Sequence, residues 1–446
     1  MKIRGGLTMS RRAGAGESGL MSLCSRCHPL AVAVLALAGV FAKTVDANTD
    51  ATRTAVATNA AVVESPAPFV RDGKAGFVVS HIKYALADGS PDLAVACPDG
   101  MSLQVEEIFA MTREGKRKPG ESDADYAKRL QAGGRALSTG PTGEDLCMNP
   151  EMAGPDTHYR TLKVDDIPVF GIDLDGQATT ASAKPASCAQ VDLPSAKGEQ
   201  GIDNQFYRLV GCSRSFQPDG QSNGFEIEMH TGSWGILLTL GDIDDLRNDD
   251  HVDVGIYANA DPVQLSPARA PLAYATYAMD PDPRFRATTT GRIENGVLTT
   301  APVDVRFHHV VNSIRLERPL KDARLQLRLS EDGTLDGYLA GYTPVEDLYD
   351  YQYGFRNGQG GDGKPAPLPL RSGSANGAAR VLGHTCAGVY QAMHELADGH
   401  PDAQSGKCTS ISTQYQVQAL PAFVVDVASA SKNQGLKEKS GFGDED

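Results

Sequence analysis

Between Ala323 and Leu329 the chain reads Ala-Arg-Leu-Gln-Leu-Arg-Leu, apolar and polar residues in strict alternation. Successive side chains of a strand point to opposite faces, so this order puts every apolar group on one face, which must then be covered. Phe225–His230 and Ser313–Glu317 repeat the alternation, and Trp234–Leu240 and Val252–Tyr257 read as further strands. Glycine- and Asx-rich turns separate these segments at intervals of about ten residues, with no helical pattern between them, which favours antiparallel pairing over a parallel α/β sheet. The expected fold is mainly β: an antiparallel β-sandwich-like central domain flanked by small disulfide-linked α/β units.

The N-terminal part points to export. Leu30–Ala42, Leu-Ala-Val-Ala-Val-Leu-Ala-Leu-Ala-Gly-Val-Phe-Ala, is apolar or small throughout and follows Arg11, Arg12 and Arg26. It has the length of a signal-peptide core and is shorter than the roughly 20 residues that span a bilayer, so no transmembrane anchor is expected after signal cleavage. Cys24-Ser-Arg-Cys27-His28 spells the c-type haem attachment pattern, but it precedes the apolar run and would stay with the leader. Beyond residue 47 six cysteines remain: Cys97, Cys147, Cys188, Cys212, Cys386 and Cys408. None is spaced for a zinc ribbon, and in the periplasm or outside the cell they would pair. Their grouping favours 97 with 147, 188 with 212 and 386 with 408, among the 15 connectivities that six cysteines allow.

The segments follow from composition. Residues 1–47 read as signal peptide and leader, 48–68 as a flexible tether, and 69–164 as a mixed region with a surface helix begun by the serine of Ser122–Leu130. Residues 165–371 carry the strands, 372–428 a small helical unit in which Cys386–Ala397 is the helix, and 429–446 a disordered polar tail. Residues 1–47 hold six Lys or Arg and two Asp or Glu, so their removal from totals of 42 and 56 leaves a net charge of −18. A polyanion is bound by neutralising phosphates, so nucleic acid is excluded as a partner. Carbohydrate or an envelope protein is the expected one.

Two short stretches offer oxygen ligands. Gly171-Ile-Asp-Leu-Asp-Gly176 and Gly201-Ile-Asp-Asn-Gln205 supply Asp173, Asp175, Asp203 and Asn204, the types that Ca²⁺ takes from carboxylates and amides. The same residues also make tight turns through side-chain bonds to their own backbone. A bridge from Cys188 to Cys212 would draw the second stretch towards the first. The acidic run Leu240–Val254 is not an EF-hand, because counting from Asp242 its sixth and twelfth positions hold Arg247 and Asp253.

Catalytic patterns are incomplete. Thr231-Gly-Ser-Trp-Gly235 lacks the first glycine of a nucleophile elbow, and His394-Glu395 lacks the second histidine of a zinc protease, position 398 being aspartate. His308 and His309, adjacent in a strand, point to opposite faces. His230 near Trp234, and the aromatic run of Tyr338, Tyr342, Tyr349, Tyr351, Tyr353 and Phe355, could line a sugar-stacking groove or belong to the core and an edge strand. The expectation is a secreted, non-catalytic binding or structural protein, with Ca²⁺ as its candidate cofactor. The rival is a polysaccharide-acting hydrolase or lyase.

Overall fold

The computed structural model describes residues 69–427 apart from 88, 90, 164–166, 178, 180–187, 189, 196–200, 218–219, 221–223 and 233. The leader, the tether, the haem-like pattern and the C-terminal tail lie outside the described residues. Twelve strands are present among those described: β1 (Ala75–Tyr84), β2 (Ile236–Gly241), β3 (Asn248–Ala258), β4 (Thr276–Ala278), β5 (Arg286–Glu294), β6 (Val297–Thr300), β7 (Val303–Val311), β8 (Ile314–Leu329), β9 (Leu335–Pro344), β10 (Gly399–Pro401), β11 (Cys408–Pro421) and β12 (Phe423–Val425). Eight helices accompany them: α1 (Leu93–Ala96), α2 (Val105–Met111), α3 (Asp123–Leu137), α4 (Gln205–Val210), α5 (Gly224–His230), α6 (Val345–Tyr349), α7 (Leu368–Leu382) and α8 (Cys386–Leu396).

The chain is mostly antiparallel β, and pairing runs round in a circuit. From β1 it passes through β2, β3, β5, β6, β8, β9 and β11, and β11 pairs again with β1. All eight junctions are antiparallel. Where two stacked sheets were expected, one sheet therefore closes on itself, which removes the edges an open sheet would expose. Segments 69–164, 165–371 and 372–428 all supply strands to it.

The alternation of β8 explains the inner face. Ala323, Leu325 and Leu327 are buried while the intervening Arg324, Gln326 and Arg328 are not. Leu325 stands opposite Leu339, Leu339 opposite Tyr415, and Tyr415 opposite Tyr84. On the far side Phe77 faces Leu238, and Leu238 faces Ile256. Burying a Leu- or Phe-sized side chain contributes about 1.5–3 kcal/mol, so this ring of cross-strand pairs supplies much of the driving force. Two-residue hairpins with both residues at positive φ, Asn295-Gly296 and Asn312-Ser313, join β5 to β6 and β7 to β8.

Several expectations need correction. Phe225–His230 is not a strand: it lies in α5, whose His230 and Glu226 stand four residues apart on one face. Six alternating letters fit either period, and here the open edge of β1 decides. β2 pairs with β1 only as far as Val78, and beyond it the Ile82 N–H donates to the Glu226 carboxylate at 2.9 Å instead of to a strand. The disulfides are Cys97–Cys212, Cys147–Cys386 and Cys188–Cys408, not the neighbours in sequence. Closure of the sheet brings distant segments together, and the bridges follow that closure. Helix α7, begun at Leu368, crosses the boundary placed at 371/372. Ser122 does begin a helix, its Oγ accepting from the Asp125 N–H.

Candidate functional site

The two Gly-Ile-Asp stretches do meet. One carboxylate oxygen from each of Asp173, Asp175 and Asp203 lies within 4.8 Å of the others. What joins them is Gln414, in the middle of β11 and fully buried. Its Oε1 accepts from the Ile172 N–H at 2.7 Å, and its Nε2 donates to the carbonyls of Ile172 (2.7 Å) and Asp203 (2.6 Å). Backbone and glutamine approach so closely at Gly171, φ +153°, that a Cβ there would sit 2.5 Å from Gln414 Oε1. The expected tie through Cys188 and Cys212 plays no part.

Within the cluster the residues divide by role. Asp203 accepts from the N–H groups of Leu174 (2.5 Å) and Asp175 (3.3 Å), while Asp173 accepts from Gly176 and Asp175 from Gln177. Asp173 and Asp175 are exposed and Asp203 is buried. Burial pushes the Asp203 carboxyl up to about 8; the Leu174 N–H opposes this, and the charges of Asp175, Asp192 and Asp398 add to it. Asn204 does not turn towards the carboxylates. Its Oδ1 caps α4 on the Tyr207 N–H at 3.1 Å and its Nδ2 donates to the Ala85 carbonyl at 2.6 Å. Two acids that the sequence reading passed over join instead. Asp192 is raised by its burial, and Asp398 is pushed up to about 7 by burial against bonds from Ser412. No local signal marks them: Asp192 is 11 residues from Asp203 in the chain and Asp398 arrives after α8. Converging carboxylates are the donor type that a hard divalent ion takes, and Arg324 stands at the edge of the group with its guanidinium on the Leu174 carbonyl.

Beside this turn region, a cleft of about 930 Å³ runs over the outer face of the sheet. Gln326 and Arg328 of β8, Asp336 and Tyr338 of β9, and Gln416 and Gln418 of β11 line it. These are the outward positions of the alternating strands. They offer amides, a guanidinium, a carboxylate and one ring, a set suited to hydroxyl groups.

The remaining candidates resolve towards packing. Tyr349, Tyr351, Tyr353 and Phe355 are at most 3 % exposed, in α6 and the π-helical turn Asp350–Gly354, so no aromatic shelf exists there. Trp234 is also buried, which removes the stacking groove with His230. Tyr338 and Tyr342 belong to β9, an interior strand of the circuit. The acidic run after Leu240 covers the β2–β3 connection and the first half of β3. Its Asp249 accepts from the N–H groups of Asp244 and His251 at 2.8 and 3.0 Å.

His309 and His308 do face apart. His308 bonds Asp280 at 2.8 Å, whereas His309 is buried with Arg318. Arg318 donates to the hydroxyls of Tyr84 (3.1 Å) and Tyr415 (2.9 Å) and to His309 Nδ1 (3.2 Å), with its guanidinium 4.2 Å from the Tyr351 ring centre. Burial, then the Arg318 charge, holds His309 well below the usual imidazole range. Glu228, His309 and Tyr351 line a separate cleft of about 700 Å³.

Comparison of the chain with family models, with characterised proteins and with solved structures finds no match. Among the described residues no helix is long and apolar enough to cross a membrane.

Proposed function

We propose that this is an exported, non-catalytic binding protein of the cell envelope, working in the periplasm or outside the cell. Ca²⁺ stabilises it, and it takes a carbohydrate in the polar cleft over β8, β9 and β11. The observation that carries the reading is the convergence of Asp173, Asp175 and Asp203 within 4.8 Å. Those three carboxylates are the ligands, with Asp192 and Asp398 adding negative charge behind them and Asn204 reserved for capping α4. Three long-range disulfides support an oxidising compartment. The amide-rich cleft supports a sugar, whose hydroxyl groups suit Gln326, Gln416 and Gln418 and whose apolar ring face suits Tyr338 or Phe170.

Thermal unfolding with Ca²⁺ and then with excess chelator is the first test. At about 100 times its dissociation constant a ligand adds roughly 2.7 kcal/mol, a rise of several degrees in a chain of this size. Asp173→Ala and Asp203→Ala should each abolish the rise, and an unchanged Tm in the parent chain would defeat the calcium assignment. Binding to a glycan panel, lost in Gln416→Ala and Gln326→Ala, tests the ligand. Binding to envelope proteins alone would replace carbohydrate with a protein partner.

The hydrolase or lyase reading retains one supporting arrangement, Glu228 beside His309 and Tyr351 at the second cleft. New reducing ends or unsaturated products from soluble polysaccharides, lost in Glu228→Gln, would favour it.

A further inference from the structure

A second group of ligating side chains stands away from the aspartate turns. His81 of β1 and Glu226 and His230 of α5 each place one ligand atom within 4.8 Å of the other two. Local structure aims all three. The register of β1 against β11 shifts between Val79 and His81, a bulge that turns His81 to the outer face. The Ser80 carbonyl lies 2.6 Å from His230 Nε2. A carbonyl only accepts, so that nitrogen carries the proton and Nδ1 keeps its lone pair. Glu226 is held in the same way, one oxygen accepting from the Ile82 N–H at 2.9 Å. Its other oxygen lies 3.5 Å from His81 Nδ1. Two donors bound to one tetrahedral ion at about 2.0–2.1 Å are about 3.4 Å apart, so this spacing is that of neighbouring ligands. Backbone groups that hold one atom of an imidazole and one of a carboxylate are the outer shell that metal ligands need.

We propose that His81, Glu226 and His230 bind a divalent transition metal ion of the zinc type. Two imidazoles and one carboxylate leave a coordination position open, and His81 and Glu226 both line the polar cleft, so that position is available to a water or to an oxygen of a bound molecule. Imidazole ligands set this site apart from the all-oxygen Asp173–Asp175–Asp203 group and make it indifferent to Ca²⁺. It does not depend on what the cleft binds.

The test is a Co²⁺ titration of the full chain, disulfides intact, with Cys24→Ser and Cys27→Ser so that no leader thiols compete. A visible absorption band saturating at one equivalent and bleached by Zn²⁺ is expected. His81→Ala and His230→Ala should each weaken binding at least about tenfold. Asp203→Asn should leave it unchanged, which separates the site from the calcium proposal. His81 has a side chain 51 % exposed, so its loss is tolerated by the fold. Absence of a saturable band in the parent chain overturns the assignment, whatever the variants do. Equal affinity in the parent and both folded histidine variants overturns it as well.

Discussion

Gln414 shows how much one buried amide can organise. Its three bonds tie both Gly-Ile-Asp turns to β11, and the Asp203 carboxylate adds the bonds between the turns. Gln414→Ala strands those backbone groups in the interior and should lower stability by about 2–4 kcal/mol in denaturant titrations. Under the calcium proposal the rise in Tm with Ca²⁺ should shrink in this variant, since only the Asp203 carboxylate then holds the two turns together. Buried histidines make a separate prediction. His384 is held down to about 4, first by burial, against the opposing pull of the Thr385 carbonyl and Asp156. Its folded pKa lies below the unfolded value of about 6.5, so as pH falls the unfolded chain takes up a proton that the folded one refuses. Stability is whole above about pH 6.5 and drains away towards pH 4, by on the order of 3 kcal/mol for this group. His309 adds to the loss in the same direction. Urea midpoints measured across that range should fall, and His384→Gln should flatten the slope.

At the level of single elements, the Asn295-Gly296 hairpin carries a plain test. Both residues have positive φ, 51° and 76°. Gly296→Ala puts a Cβ into the left-handed region and should cost about 1–2 kcal/mol, read from the chemical midpoint. Alternation made β8 and β3 legible in advance because a half-buried strand has no other way to arrange Leu-Gln-Leu or Val-Asp-Val. The same rule failed at Phe225–His230, where six residues are too few to distinguish a period of two from a helical turn. α7 was obscured by Pro369, Gly373 and Gly377, residues of low helical propensity that packing overrides. Of the carboxylate group, Asp173, Asp175 and Asp203 were legible from residue type. Asp192, Asp398 and the tie through Gln414 were not, because only the path of the folded chain makes them neighbours.

For the molecule as a whole, the connectivity of the cysteines is the sharpest check. A non-reducing peptide map should link Cys97 with Cys212, Cys147 with Cys386 and Cys188 with Cys408. Links of 97 to 147 or 386 to 408 would contradict the fold itself. The bridges span 115, 239 and 220 residues, so removing one frees a long loop in the unfolded chain. In the chain-entropy view that costs about 5 kcal/mol, and Cys147→Ser with Cys386→Ser should show a loss of that order. Nearest-neighbour pairing was a reasonable guess for separate small units. It fails where one sheet draws on strands from Ala75 to Pro421.

Because β1, the first of the described strands, pairs with β11, the circuit cannot close until the chain has been made as far as Pro421. Until then β1 keeps unpaired main-chain groups and Cys188 has no partner thiol. A product cut short before Cys408 therefore has no route to the native state.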